Sequence, residues 1–126
     1  MFVRDIMTKK FISINPGASL TKLISLIEKH NLRQILVTER KKLKGIIYSK
    51  ELAKKGISNP ERTKVNSIMS FMPPHLSPES KINESAKLIL KTGLRALPVV
   101  ENKKLVGTLH RSTIIHILRV RSHISS

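Results

Sequence analysis

Five histidines, His30, His75, His110, His116 and His123, are the obvious starting point for chemistry in this chain. None stands in a metal-binding arrangement such as two His four apart with an acid between them. His116 and His123 are seven apart, on or beyond a closing helix, and read as surface residues. Asp5 is the only aspartate, so paired-carboxylate catalysis has little material. Cysteine is absent, which removes thiolate metal sites, disulfides and a cysteine nucleophile. No serine lies in a nucleophile-elbow sequence. With 5 glycines in all, no phosphate-cradling Gly-rich loop is formed. What remains is anion recognition. Lys and Arg number 24 against 8 acidic residues, a formal charge of +16 at pH 7. Such a field attracts polyanions: nucleic acid, polyphosphate nucleotides or an acidic protein partner. The expectation is a binding protein, not an enzyme, with no catalytic residues and no metal site.

The elements that must position any such site come from a duplication. Sliding the sequence by 62 residues aligns it with itself without gaps, giving 15 identities in 54 pairs over positions 3 to 56. Chance for an average composition is on the order of 7%. Val3, Ile6 and Met7 fall on Val65, Ile68 and Met69; Leu32 and Arg33 on Leu94 and Arg95; Gly45 on Gly107. In each repeat a turn, at Asn15-Pro16-Gly17 and at Ser77-Pro78-Glu79, precedes a helix. Helical spacing follows in Leu20, Leu23, Ile24 and Ile27, and in Ile82, Ala86, Ile89 and Leu90. The pairs His30-Asn31 and Thr92-Gly93 suit left-handed helix caps. Two strands come next, around Ile35–Val37 and Leu43–Tyr48, then around Leu97–Val100 and Leu105–His110, each pair joined by a basic turn. Short closing helices are expected over Lys50–Lys55 and Ser112–Arg119, and Gly56–Thr63 has the composition of a connector. Met69, Phe71 and Met72 read as core or dimer contacts. The local order is strand, helix, strand, strand, helix, twice. Repeat one spans 1–62 and repeat two 63–126. A unit of this size buries too little surface to stand alone, so the two are expected to share a core.

These segments resemble a known family. Val3-Arg4-Asp5-Ile6-Met7-Thr8 and Val65-Asn66-Ser67-Ile68-Met69-Ser70 resemble the opening signature of CBS repeats. Gly93-Leu94-Arg95-Ala96-Leu97-Pro98-Val99-Val100 is similar to the family's central strand. Leu43-Lys44-Gly45-Ile46-Ile47 and Leu105-Val106-Gly107-Thr108-Leu109 resemble its Gly-containing last strand. The resemblance covers roughly residues 2–119 and implies a stand-alone tandem CBS pair, a Bateman module. The implied fold is mixed α/β (α+β), two pseudo-symmetric repeats packed sheet to sheet, with two related clefts. It further implies a homodimer, no required cofactor, and a regulatory role exercised by binding AMP, ADP, ATP or S-adenosylmethionine.

The resemblance also nominates site residues. Arg33 and Arg95 stand where the family often places a cation facing phosphates, and a guanidinium offers several fixed donors there. The alternative is a surface Arg in a helix-to-strand loop. After the last-strand Gly the family pattern runs to Ser or Thr and then Asp, for phosphate and ribose. Here the first repeat places Tyr48 and Glu51 at those positions, and the second places His110 and Thr113, with Ser112 as a further hydroxyl. Glu51 is equally suited to be an ordinary first-turn helix acid. On this pattern the Glu51 cleft is expected to hold a nucleoside better than the Thr113 cleft.

Hydrophobic residues make up 40% of the 126 positions, enough for a packed core, and aromatics only 3%. No stretch approaches the roughly 20 apolar residues of a membrane span, and Met1 to Lys10 lack a signal-peptide apolar run. A cytoplasmic location without membrane attachment is expected. The rival functional reading is a nucleic-acid-binding protein, with Lys41-Lys42, Lys54-Lys55 and Lys103-Lys104 as contacts; a structural dimer with a decayed site is a third. No aromatic interleaves with these basic runs in sequence, which counts against single-strand recognition.

Overall fold

The computed structural model describes the backbone of residues 1–125 and the side chains of residues 1–120. The chain forms two compact units, one of Ile12–Pro73 and one of Met1–Phe11 with Pro74–Ser126. Relative to the repeats read from sequence, 1–62 and 63–126, the units have exchanged their opening segments.

In the unit Ile12–Pro73, the short strand β1 (Ser13–Ile14) leads into helix α1 (Leu20–His30). Ser19 caps the helix, its hydroxyl accepting the Lys22 N–H at 3.2 Å. Asn31 ends it in the left-handed conformation, φ 51°. Strands β2 (Gln34–Glu39) and β3 (Lys42–Tyr48) form an antiparallel hairpin, and β1 pairs with β2 in parallel. Helix α2 (Ser49–Leu52) follows at once, and strand β4 (Ser70–Phe71) pairs antiparallel with β3. The core of this unit holds Ile14, Leu20, Leu23, Ile35, Val37, Ile47 and Val65, all buried. Their periods of roughly four on α1 and two on the strands are those the sequence pattern showed.

The second unit repeats the plan. Helix α3 (Ile82–Thr92) ends at Gly93, φ 69°, whose N–H returns to the Ile89 carbonyl at 2.8 Å. Strands β5 (Ala96–Glu101) and β6 (Lys104–His110) pair as a hairpin, and helix α4 (Arg111–Ser125) closes the unit. The strand expected before α3 shrinks to a parallel bridge between Leu76 and Val99. Where α1 has the core residue Leu23, α3 has buried Ser85, satisfied by its bond to the Lys81 carbonyl at 3.2 Å.

The exchange of opening segments is written in backbone hydrogen bonds. Val65 and Asn66 donate to the carbonyls of Ala18 and Pro16, both at 2.9 Å. At the equivalent positions Val3 and Arg4 donate to Ser80 and Pro78, at 2.8 and 3.0 Å. Val3 and Val65 are each completely buried. Each opening segment then crosses the last strand of its unit at a glycine. A Cβ on Gly45 would lie 2.6 Å from the Ser70 carbonyl oxygen, and one on Gly107 2.7 Å from that of Thr8. The repeated glycine is a clearance for backbone.

Two expectations need correction. Helix α2 covers Ser49–Leu52 rather than 50–55, because it has no fully buried residue to anchor further turns and Lys54, Lys55 and Gly56 follow. Helix α4 runs to Ser125 instead of ending at Arg119, with Ile114 on its buried side. Of the trio Met69, Phe71 and Met72, expected as core or dimer contacts, Met69 packs against the core, while Phe71 is 69% and Met72 75% exposed in the single chain.

Candidate functional site

The open end of the β2–β3 hairpin gathers three of the nominated residues. Tyr48, the last residue of β3, pairs with Gln34, next to Arg33. The Arg33 carbonyl accepts from the Ser49 N–H at 3.0 Å and the Ser49 hydroxyl at 3.3 Å, which ties the start of α2 to the start of β2. Glu51 then falls in the first turn of α2. Arg33 is exposed, whereas Tyr48 and Glu51 are half-buried.

Beside Tyr48 and Glu51 lies a shallow depression, which Arg33 does not line. Tyr48, Glu51 and Lys55 line it together with Ile46, Ile47, Leu52, Ile68 and Ser70. Burial, and after it the negative charge of Glu51, push the Tyr48 phenol above its ordinary value of 10.0. Tyr48 is therefore a neutral hydroxyl throughout the physiological range, able to donate. The Lys55 ammonium donates to the Ile68 carbonyl at 3.1 Å. The depression thus offers a carboxylate acceptor, a phenol donor and an ammonium.

The other nominated residues gather at the matching place in the other unit. His110 ends β6 opposite Ala96, and the Arg111 N–H donates to the Arg95 carbonyl at 2.7 Å. Ser112 and Thr113 form the first turn of α4. Arg95, His110 and Ser112 are exposed and Thr113 is half-buried. The set has hydroxyls and cations but no carboxylate. Among the described residues no group of three His, Cys, Asp or Glu side chains is placed to hold a metal ion. No described helix is long and apolar enough to cross a membrane.

Lys55, Ile68 and Ser70 were not among the nominated residues. Ile68 and Ser70 belong to the opening signature of the second repeat, and their repetition was visible. Their arrival beside Tyr48 depends on the segment exchange.

A model of the CBS domain matches the chain twice, over residues 3–57 and 65–120. The chain belongs to the CBS-domain family. YhcV, a CBS domain-containing protein of Bacillus subtilis (strain 168), is 27% identical over 107 residues, covering 83% of this chain and 76% of YhcV. The crystal structure of CBSX2, from Arabidopsis thaliana, in complex with AMP superposes with a TM-score of 0.81 at 24% identity, covering 95% of this chain and 98% of that one. The CBS pair of MJ0100, solved with 5′-methylthioadenosine and S-adenosyl-L-methionine, gives 0.77 at 23% identity, over 96% and 98%. At these identities the structural likeness is one of fold: mixed α/β, two CBS repeats. What distinguishes the two repeats here is their chemistry, Tyr48, Glu51 and Lys55 in one against His110, Thr113 and Ile117 in the other.

Proposed function

We propose that this CBS pair is a non-enzymatic sensor module that binds an adenine nucleotide (AMP, ADP or ATP) or S-adenosylmethionine and signals occupancy to a partner. The observation that carries the reading is the grouping of Arg33, Tyr48 and Glu51 around one strand end, with Tyr48 and Glu51 lining a depression. The adenosine ligands of CBSX2 and MJ0100 support it. The Glu51 carboxylate can accept from ribose hydroxyls, and charge-assisted bonds contribute about 1.5–3 kcal/mol against about 1 for neutral ones. Tyr48 supplies a hydroxyl, and Arg33 and Arg95 serve phosphates. At the matching place Thr113 offers one neutral hydroxyl, with His110 and Ser112 beside it, so that site holds a nucleoside about tenfold more weakly, 1.4 kcal/mol being tenfold. Regulation then follows from differential affinity: the ligand favours one arrangement of the module, and the partner reads it. No cofactor is needed for this, and the module acts as a cytoplasmic homodimer, each copy built from repeats 1–62 and 63–126.

Calorimetry with AMP, ATP and S-adenosylmethionine tests the reading. About one nucleotide per chain is expected, with Glu51→Ala weakening it roughly tenfold and Thr113→Ala leaving it near wild type. Loss of binding on Thr113→Ala alone overturns the ranking, and no heat from any of the three ligands overturns the reading.

A further inference from the structure

The other end of the β2–β3 hairpin, the tip, carries a different surface. Arg40 and Lys41 form its two-residue turn with φ of 52° and 70°. Positive φ at both positions is the type I′ pattern, for which Asn-Gly is the unstrained choice. Two bulky cations occupy it instead, at a steric cost that Asn and Gly would avoid. Lys42 and Lys44 follow on β3. Arg40, Lys41 and Lys42 are exposed, Lys44 half-buried, and Glu39, the register partner of Lys42, is the one acid between positions 39 and 44. The matching β5–β6 turn is milder, with Asn102 and Lys103 in the same conformation and Lys104 opposite Glu101.

Folding sets an aromatic beside this strand. Phe71, which sequence distance separates from the basic runs, is the register partner of Gly45 in β3, three residues from Lys42. Its ring is 69% exposed, and Met72 beside it 75%. Met72 holds φ 52° immediately before Pro73, a position where extended backbone is the rule. Strain at a bulky residue persists where the surroundings impose it, and it concentrates at ligand-contacting segments. Ser70 lines the Tyr48 depression, and Phe71, the next residue of β4, faces the opposite side.

We propose that the basic β2–β3 tip and Phe71 together bind single-stranded nucleic acid without sequence preference, the tip cations tracking phosphates and Phe71 stacking on a base. Stacking aromatics beside a cationic track are what sequence-tolerant single-strand binding requires. A duplex leaves Phe71 without an accessible base face. An acidic protein is the competing occupant of the same cations, with Phe71 and Met72 as its apolar anchors, and the poly-glutamate arm of the test separates the two. The surface is separate from the nucleotide site: six steps along β3, about 20 Å at roughly 3.3 Å each, divide Lys42 from Tyr48, and Phe71 faces away from the side that Ser70 lines.

Fluorescence anisotropy with a labelled mixed-sequence DNA 20-mer, single-stranded and as a duplex, tests this between 50 and 200 mM salt. Single-strand binding tighter than duplex binding is expected. Phe71→Ala is expected to weaken it at least about fivefold with the salt slope unchanged, as stacking contributes at least about the free energy of that factor. The double variant Arg40→Asn, Lys41→Gly is expected to flatten the slope by about 1.4, at roughly 0.7 per phosphate contact, so that its deficit against wild type shrinks about sevenfold across the range. The same variant is expected to melt no lower than wild type, since Asn-Gly suits the turn, which separates lost contacts from lost fold. Both variants keep wild-type AMP affinity by calorimetry, whatever that affinity is. The proposal is overturned if the duplex binds as tightly as the single strand, if poly-glutamate binds and the oligonucleotide does not, if neither variant changes oligonucleotide binding, or if Phe71→Ala weakens AMP instead.

Discussion

Adding one methyl group at either last-strand glycine tests the crossing on which both units depend. In Gly45→Ala the new Cβ would sit 2.6 Å from the Ser70 carbonyl oxygen and 2.9 Å from the Met69 sulfur; in Gly107→Ala, 2.7 Å from the Thr8 oxygen and 3.0 Å from the Met7 sulfur. Carbon–oxygen contacts are ordinarily well beyond 3 Å, and the nearest atom is backbone in both cases, so relief requires moving a main-chain segment. At position 107 that segment is held by reciprocal bonds between Thr8 and Thr108, both 2.9 Å. At position 45 it is held by the pairing of β3 with β4. Overpacking that shifts backbone costs about 1–3 kcal/mol. At this chain length that is a loss of roughly 3–15 °C in Tm, taking roughly 3–5 °C per kcal/mol. Differential scanning calorimetry of the two variants should show similar losses, because the two contacts are near copies. Ligand binding should separate them. Ser70 lines the Tyr48–Glu51 depression, so Gly45→Ala should weaken the nucleotide as well, whereas Gly107→Ala should leave it nearer wild type. If both variants melt within about 1 °C of wild type, well below any shift expected from 1 kcal/mol, the opening segments do not cross where described and the reasoning fails.

Other outcomes follow from single positions. Leu23 is completely buried in the core around Val37 and Val65, so Leu23→Ala should cost about 2–5 kcal/mol by denaturant unfolding; a smaller loss would mean that the site collapses around the cavity. Tyr48 has a raised pKa in the folded state, so its contribution is fully present below pH 10.0 and is lost as pH climbs through the folded-state value. Tyr48→Phe should therefore lose less stability than wild type between neutral pH and pH values above 10.0, read from melting curves across that range; parallel curves would refute the assignment. Leu90 is 84% and Ile24 36% exposed on α3 and α1. Light scattering of Leu90→Lys should report more monomer than wild type if these helices form the proposed dimer, and a wild-type mass of 14.2 kDa would exclude the dimer outright.

The parts legible in the sequence are those in which local chemistry and long-range packing agree. Helices α1 and α3 were readable because Asn31 and Gly93 cap their C-termini locally while the apolar stripes face one side. Helix α2 was overextended because the stretch through Lys55 has helix-forming composition, yet composition does not show that its residues lack a core to cover. The nominated site residues were legible as two sets, and the sets did assemble locally, because a strand end and the helix after it are neighbours in sequence as well as in space.

The segment exchange was invisible for a reason that is physical and general to duplications. Val3 and Val65, Pro16 and Pro78, Gly45 and Gly107 are identical pairs. Packing Val65 on the first repeat's helix or on the second's presents the same side chains to the same partners, so pattern and propensity are indifferent between the two arrangements. What decides is backbone: whether the segment can reach Pro16 and Ala18 while its own repeat continues into Leu76 and α3. That information is carried by connection lengths and direction, not by residue type. The consequence reaches the site. Because the second repeat's opening segment completes the first repeat's unit, Ile68 and Ser70 stand beside Tyr48 and Glu51, and Phe71 stands beside the basic strand β3. A reading of either repeat alone assigns these residues to the wrong surroundings. In this chain a substitution in residues 65–70 should therefore be judged by what it does to the Glu51 site and not to the Thr113 site, whereas Phe71 faces away from the depression.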